Sequence, residues 1–248
     1  MTSATLMQSQ PLDSRSSGND GNLSATADES EAARAALEGS LWARLRIAHR
    51  ALRRLLANVD DTRQVLVLSI ALNAKSLPRL LARFIAEDDG LALMSERPAI
   101  DSSMVDFDWL RALPETTLGG AYVRFLDKNG LDPDLFQSPP GLPPAIAYLA
   151  QRFRQSHDLW HVLTGYSPEV AGELPLLAFS YAQTEMPSFR LLAIVGSIRY
   201  AFHARGMFRK VIEGYRRGKR AKFLGAVRWE HLWERPLAEV RADLGIAI

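Results

Sequence analysis

A chain of 248 residues with 47% apolar content has enough material for one sizeable core. It contains no cysteine, which excludes disulfides, thiolate nucleophiles, iron-sulfur ligation and cysteine-type zinc sites, so any metal must be held by nitrogen and oxygen. The net charge is only +2, yet a pI of about 9.0 points to arginine, which serves the phosphates of lipids, nucleotides and nucleic acids alike and selects no partner by itself.

Residues 1–29 are rich in Ser, Thr, Asp, Gln and Gly, with little to bury, and read as a disordered tail. They hold no basic region followed by an apolar run, which argues against a secretory signal, and their acids argue against a mitochondrial transit peptide; a cytoplasmic, bacterial setting is expected. The rest, 30–248, reads as a single compact all-α domain of many helices, because no stretch shows strict two-residue alternation. From about Ser30 a basic amphipathic helix is expected, with Leu41, Leu45, Ala48 and Leu52 as its apolar stripe and Arg44, Arg46, Arg50, Arg53 and Arg54 on the remainder. A second helical segment covers Asp61 to Ala86, with Val65, Val67, Leu68, Ile70, Ala71 and Leu72 buried and a break at Pro78. Short helices come next over Leu91 to Arg97 and within Asp101 to Pro114, the latter with Phe107, Trp109 and Leu110 on its apolar side. Leu118 to Lys128 is a further helix, stopped by Asn129-Gly130.

Prolines at 133, 139, 140, 143 and 144 mark an irregular crossing loop. One long helix is expected from Pro144 to Leu163, closed by Gly165, then a new start at Ser167-Pro168-Glu169 with Ser as N-cap. Pro175 and Pro187 should interrupt the helical pattern beyond that start. Ser188 to Gly214 reads as one helix, Arg216, Arg217, Lys219, Arg220 and Lys222 as a cationic turn, and Ala221 to Trp233 and Pro236 to Leu244 as a closing pair. No apolar run approaches the roughly 20 residues of a spanning helix, so a protein that lies on a membrane fits better than one that crosses it.

The chemistry concentrates in His157-Asp158-Leu159-Trp160-His161, followed after eleven residues by Glu173, in a chain with five histidines. Side chains at i and i+4 share a helix face, so His157 and His161 can grip one ion; Asp158 stands at the edge of that face, and a second helix running back can aim Glu173 at the same point. Two imidazoles and two carboxylates suit one divalent ion, zinc first, with manganese or ferrous iron as alternatives. Asp158 has a second reading, orienting a histidine from behind. Arg152 and Arg154 are candidates to clamp a carboxylate or phosphate, with surface salt bridging as the bland alternative. His49, His203 and His231 are too scattered to serve as ligands, which weighs against a phosphohydrolase built on the His-Asp pair. The run Arg216 to Lys222 has no nucleic-acid-binding fold around it; attraction to an anionic membrane surface is its better functional reading.

The spacing His-Asp-x-x-His, eleven residues, Glu resembles the signature of the ubiquinone (coenzyme Q) biosynthesis family Coq4. Ala121-Tyr-Val-Arg-Phe-Leu-Asp, Tyr148-Leu-Ala-Gln-Arg-Phe-Arg, Gln183-Thr with Pro187, Trp229-Glu-His-Leu-Trp-Glu-Arg-Pro-Leu and Asp243-Leu-Gly-Ile are similar to that family's blocks, in order. The resemblance implies an all-helical protein of the membrane quinone pathway with His157, Asp158, His161 and Glu173 as metal ligands. It further implies decarboxylation and hydroxylation at C1 of a polyprenylated hydroxybenzoate precursor, and an organising role for other quinone-biosynthesis enzymes. A location peripheral to the inner membrane is expected with it, self-association being left open. The prenyl tail would need an apolar tunnel, for which Leu174 to Tyr181 and Leu191 to Ala201 are the candidate walls. The alternative is a non-catalytic scaffold or prenyl-lipid binding protein with a structural metal. The chain departs from the family pattern near Ala178, Ser180 and Glu185 and in having Pro175, which leaves tail length and ring substituents open.

Overall fold

A computed structural model describes residues 31–35, 38–58, 61, 63–135, 142–200 and 206–247; the expected tail over 1–29 lies outside them. The described residues form helices and turns with no strand, their one β-bridge joining Thr117 to Pro236, and the all-α expectation holds. In chain order the helices are α1 (Leu41–Ala57), α2 (Arg63–Asn73), α3 (Leu77–Ala86), α4 (Gly90–Glu96), α5 (Phe107–Ala112), α6 (Leu118–Asn129), α7 (Pro144–Gln155), α8 (His157–Thr164), α9 (Val170–Thr184), α10 (Pro187–Tyr200), α11 (Met207–Arg220) and α12 (Leu237–Asp243). Several ends follow local rules. Ser40 caps α1 by accepting from the Ala43 amide, and Thr117 caps α6 by accepting from that of Gly120. Gly130 closes α6 in the left-handed region at φ 63°, and Pro78 sits in the first turn of α3, after an 86° bend from α2.

The structure departs from local expectation at several places. The buried stripe on α1 is Arg44, Ile47, Ala48, Ala51 and Leu55; of the expected stripe Ala48 is buried and Leu52 half-buried, and packing against α2 turns Leu41 and Leu45 outward. Leu41 and Leu45 are consequently exposed and Arg44 is buried. On α5, Leu110 is buried as expected while Trp109 is exposed. The expected 144–163 helix breaks at Ser156, whose ψ of −3° separates α7 from α8. The expected 188–214 helix is two, α10 and α11, with Gly206 at φ 80° leading into the second, and the run Arg216 to Arg220 forms the end of α11 rather than a turn. Pro175 lies inside α9 without ending it; Ala171, whose carbonyl loses a partner there, is exposed to water.

The expected helix over Ala221 to Trp233 is replaced by two single 3-10 turns, Leu224–Ala226 and Trp229–His231. Its backbone groups are claimed from outside. Gln183 Oε1 accepts from the Leu224 amide at 2.8 Å, the Leu244 carbonyl accepts from Lys222, and the Trp233 and Arg235 carbonyls accept from Gly119 and Leu118. This segment is strapped across the ends of α6 and α9 instead of coiling on itself.

Helix α9 is buried almost all round, as a helix apolar on every face must be. Leu176 and Phe179 pack into a core with α6, α8, Trp229 and Trp233, while Leu174, Leu177 and Ala178 pack into a second core with α1, α2 and α10. A third cluster joins α3, α4 and α7 to Phe223. Along α9 runs α11, brought close by Gly214 and Gly218, four residues apart: Gly214 lies on the Pro175 carbonyl, and a Cβ at Gly218 would stand 2.6 Å from the Phe179 carbonyl. Gly214→Ala therefore forces a methyl onto rigid backbone and is expected to cost about 1–3 kcal/mol. It should appear as a lower urea midpoint at unchanged m-value.

Candidate metal centre

Two features of the chain aim the cluster. A break at Ser156 separates α8 from α7, and Gly165, at φ 73°, ends α8 so that the chain reverses into α9. The reversal is longer than the Ser-Pro start suggests. Glu169, not Ser167, is the N-cap of α9, and Gly172 packs directly on the Ser167 backbone, where a Cβ would not fit. Glu173 then lies in the first turn of α9, facing α8.

His157, Asp158, His161 and Glu173 are 5%, 3%, 1% and 0% exposed. His161 Nε2 is 3.2 Å from His157 Nε2 and 3.0 Å from Glu173 Oε1, and His157 Nε2 is 3.5 Å from the same oxygen. Donor atoms of His157, Asp158 and His161 all fall within 4.8 Å of one another. Two donors about 2.0–2.1 Å from a tetrahedral ion stand about 3.3 Å apart, so the 3.0–3.5 Å separations among His157 Nε2, His161 Nε2 and Glu173 Oε1 fit a shared ion. Glu173 Oε2 is buried with no hydrogen-bond partner, which leaves a further donor atom on the same carboxylate.

The supporting contacts define which nitrogen faces the cluster. His161 Nδ1 lies 3.0 Å from the Tyr166 carbonyl, which can only accept; Nδ1 therefore carries the proton and Nε2 is free to ligate. Phe125 stacks on the His161 ring at 5.4 Å, and the two imidazoles are perpendicular at 4.8 Å. Burial pushes the His157 imidazolium down, but the Glu173 carboxylate, aided by Asp158, outweighs it and holds His157 above its ordinary value. Burial pushes Glu173 up, but the facing His161 and His157 pull its carboxyl down to about 2. Burial, with the Asp158 charge nearby, raises the Tyr122 phenol.

The other candidates lie elsewhere. Arg152 is 0% exposed, and its terminal nitrogens are directed to Glu230 (Nη2 to Oε2 2.9 Å), the Val227 carbonyl and the Pro98 carbonyl, so it ties α7 to the C-terminal strap. Arg154 is half-buried, one helical turn before Asp158. His49 and His231 are exposed and outside the cluster, and His203 lies outside the described residues. Leu174, Leu177, Leu192 and Ala193, expected along a tunnel, instead pack together in the second core, with Gly196 seated on Leu174. Tyr166, Phe125 and Tyr122 lie beside the cluster without any motif of their own in the chain. Tyr122 and Phe125 do fall in the Ala121 to Asp127 block that carried the resemblance.

Fold and site together define an all-helical protein in which the buried His157, Asp158 and His161 are grouped so that they could hold a metal ion, with the Glu173 carboxylate against the two imidazoles. The sequence profile of the family described as "Coenzyme Q (ubiquinone) biosynthesis protein Coq4" matches residues 37–248, and the chain belongs to that family. It is 34% identical to the mitochondrial ubiquinone biosynthesis protein COQ4 homolog of Drosophila ananassae over 70% of this chain and 66% of that one. It is 33% identical to the Bos taurus homolog over 73% and 70%. The chain thus spans slightly under two thirds of the length of the insect relative. A crystal structure from Nostoc punctiforme PCC 73102, which carries a provisional ubiquinone-biosynthesis name, superposes with a TM-score of 0.65 at 27% identity, covering 81% of this chain and 97% of that one. The chain is accordingly a ubiquinone-biosynthesis family member, and no single described helix is long and apolar enough to cross a membrane.

The two titrations give metal-free protein a signed pH dependence. The His157 contribution is complete below its ordinary 6.5 and lost as pH rises through its raised value; that of Glu173 is present above 4.5 and lost as pH falls towards about 2. In EDTA the cluster should stabilise the fold most between those two values, and thermal melts should decline as pH rises beyond them. With zinc added the trend above neutrality should reverse, because an ion competes with protons for the imidazoles.

Proposed function

We propose that this protein binds one divalent ion, zinc first with manganese or iron as alternatives, through His157, Asp158, His161 and Glu173, and uses the site in oxidative decarboxylation of a polyprenylated hydroxybenzoate. The observation that carries the reading is the convergence of His157 Nε2, His161 Nε2 and Glu173 Oε1 within 3.0–3.5 Å beside an unpartnered Glu173 Oε2. When bound, such an ion supplies a Lewis-acidic anchor for the ring's carboxylate and phenolate oxygens. The net change at C1 is loss of the carboxylate as carbon dioxide and gain of one oxygen atom from dioxygen. The other oxygen atom leaves as water, with two electrons and two protons from an outside donor. The chain's own part is to exclude water with Phe125 and Tyr122, to hold His161 in one tautomer through the Tyr166 carbonyl, and to keep Glu173 ionised. Arg154 is the candidate to meet the substrate's carboxylate; Arg152 serves it through the α7 frame.

A second reading, a scaffold or prenyl-lipid carrier for the other pathway enzymes with a structural metal, is supported by the near-complete burial of all four donors. His161→Ala and Glu173→Ala are expected to lose bound metal and, in a complemented deletion strain, to accumulate the C1-carboxylated prenyl intermediate by lipid mass spectrometry. Loss of thermal stability with intermediates spread over several steps would favour the scaffold instead.

Peripheral attachment to an anionic bilayer belongs to the same proposal. Phe208, Ile212 and Tyr215 are exposed along one face of α11, among exposed Arg209, Lys210, Arg216, Lys219 and Arg220. A second copy placed on this face about a two-fold axis would set like charges against each other, whereas anionic lipid complements them. Phe208→Glu with Ile212→Glu should reduce sedimentation with phosphatidylglycerol-containing vesicles about tenfold, and pure phosphatidylcholine vesicles should bind the parent chain weakly.

A further inference from the structure

Helix α8 carries three of the four donors but is only eight residues long, too short to be stable by itself. Its last carbonyls need partners, and local capping supplies only one, the Gly165 amide bonding to the His161 carbonyl at 2.8 Å. The remaining three are met by two arginines from far along the chain. Arg241, on α12, donates through Nη2 to the Val162 carbonyl at 2.8 Å and through Nε to that of Leu163 at 3.0 Å. Arg217, on α11, donates through Nη2 to the Thr164 carbonyl at 2.9 Å, and its guanidinium lies 4.8 Å from the centre of the Tyr166 ring. Tyr166 is the residue whose carbonyl fixes His161 Nδ1.

We propose that Arg217 and Arg241 are positioning residues for the donor cluster: they clamp the C-terminal end of α8 and the Tyr166 turn, and so set the orientation and tautomer of His161. The proposal rests on the reading that the cluster holds a metal. Its geometry is specific in three respects. Both guanidiniums are directed at carbonyl oxygens rather than at a carboxylate, which suits a helix end carrying partial negative charge. Arg241 spans two successive carbonyls with its fork, which a lysine's single ammonium on a flexible stem does not reproduce. Arg217 holds the turn twice, by a hydrogen bond before Gly165 and by ring stacking after it. Burial, with Arg217 close by, lowers the Arg241 pKa, so the two cations sit together against their own repulsion, held by the carbonyls between them. Each acts on the cluster through the backbone that carries a ligand, not through the ligand side chain.

The test measures zinc affinity by chelator competition, with the visible spectrum of the cobalt-substituted protein as a report on ligand geometry. The full chain is used throughout. Arg217→Gln and Arg241→Gln are each expected to weaken zinc binding about 10- to 100-fold and to alter the cobalt bands. Arg241→Lys should recover only part of the loss, and Arg217→Lys likewise. Should a Gln variant not fold, the Lys variant of the same residue carries the test. Arg235→Gln, which removes a surface pairing with Asp243 and Glu239 at the start of the same segment, should leave zinc affinity and spectrum as they were. Nitrogen-15 NMR of His161 should show the Nδ1-protonated form in the parent chain and a mixture in Arg217→Gln. The proposal is overturned if both Gln variants bind zinc within twofold of the parent with an unchanged cobalt spectrum while melting lower equally in EDTA and in zinc, since that is the pattern of a purely structural contact. A parent chain that binds neither zinc nor cobalt overturns the metal reading itself, and this proposal with it.

Discussion

A fully buried carboxylate is among the costliest groups a fold can carry, and Glu173 is one, with a single oxygen facing two imidazoles and the other facing none. That charge is tolerable only where positive charge is delivered to it, by protonated histidine or by an ion. The surrounding architecture answers this requirement. The break at Ser156 and the left-handed Gly165 bring α8 and α9 into opposition, and the extended turn between them places a carbonyl where His161 Nδ1 needs an acceptor.

The same requirement explains why α9 sits at the centre. A helix that must keep a carboxylate dry has to be enclosed on all sides, and α9 is walled by one core towards α6 and α8 and another towards α1, α2 and α10. The third side is closed by α11 through its two glycines, which let the backbones approach as no larger residue would. Gln183, near the end of α9, then links the Gly218 carbonyl to the Leu224 amide, so the helix that carries Glu173 also anchors the C-terminal strap. The strap in turn supports the site's other side, where Glu230 holds Arg152 and α12 supplies Arg241 to α8.

The sequence blocks that carried the family resemblance are partners in space. The block beginning at Tyr148 meets the block beginning at Trp229 through Arg152 and Glu230, and the block beginning at Ala121 lays Phe125 against His161. Arg152 shows the limit of reading such blocks singly. A guanidinium near a ligand motif is chemically fit to hold a substrate carboxylate, yet its proximity in sequence does not say which side of α7 it occupies; the structure turns it to Glu230. The α1 stripe has the same ambiguity, since the helical period admits Leu41 and Leu45 to the buried face and contact with α2 turns them outward.

The sequence alone determined what depends on residue type and short spacing: an all-helical chain, nitrogen and oxygen ligands by absence of cysteine, and four donors whose intervals along two helices allow them to meet. It also marked helix ends where glycine acts within four residues, as at Gly130 and Gly165. Only the tertiary structure decided where long helices break, that 221–233 is a strap rather than a helix, and that α8 is held by arginines 53 to 79 positions away. The last two outcomes turn on backbone groups satisfied by distant partners, and a hydrogen bond between remote residues leaves no period, cap or spacing in the chain from which it can be read.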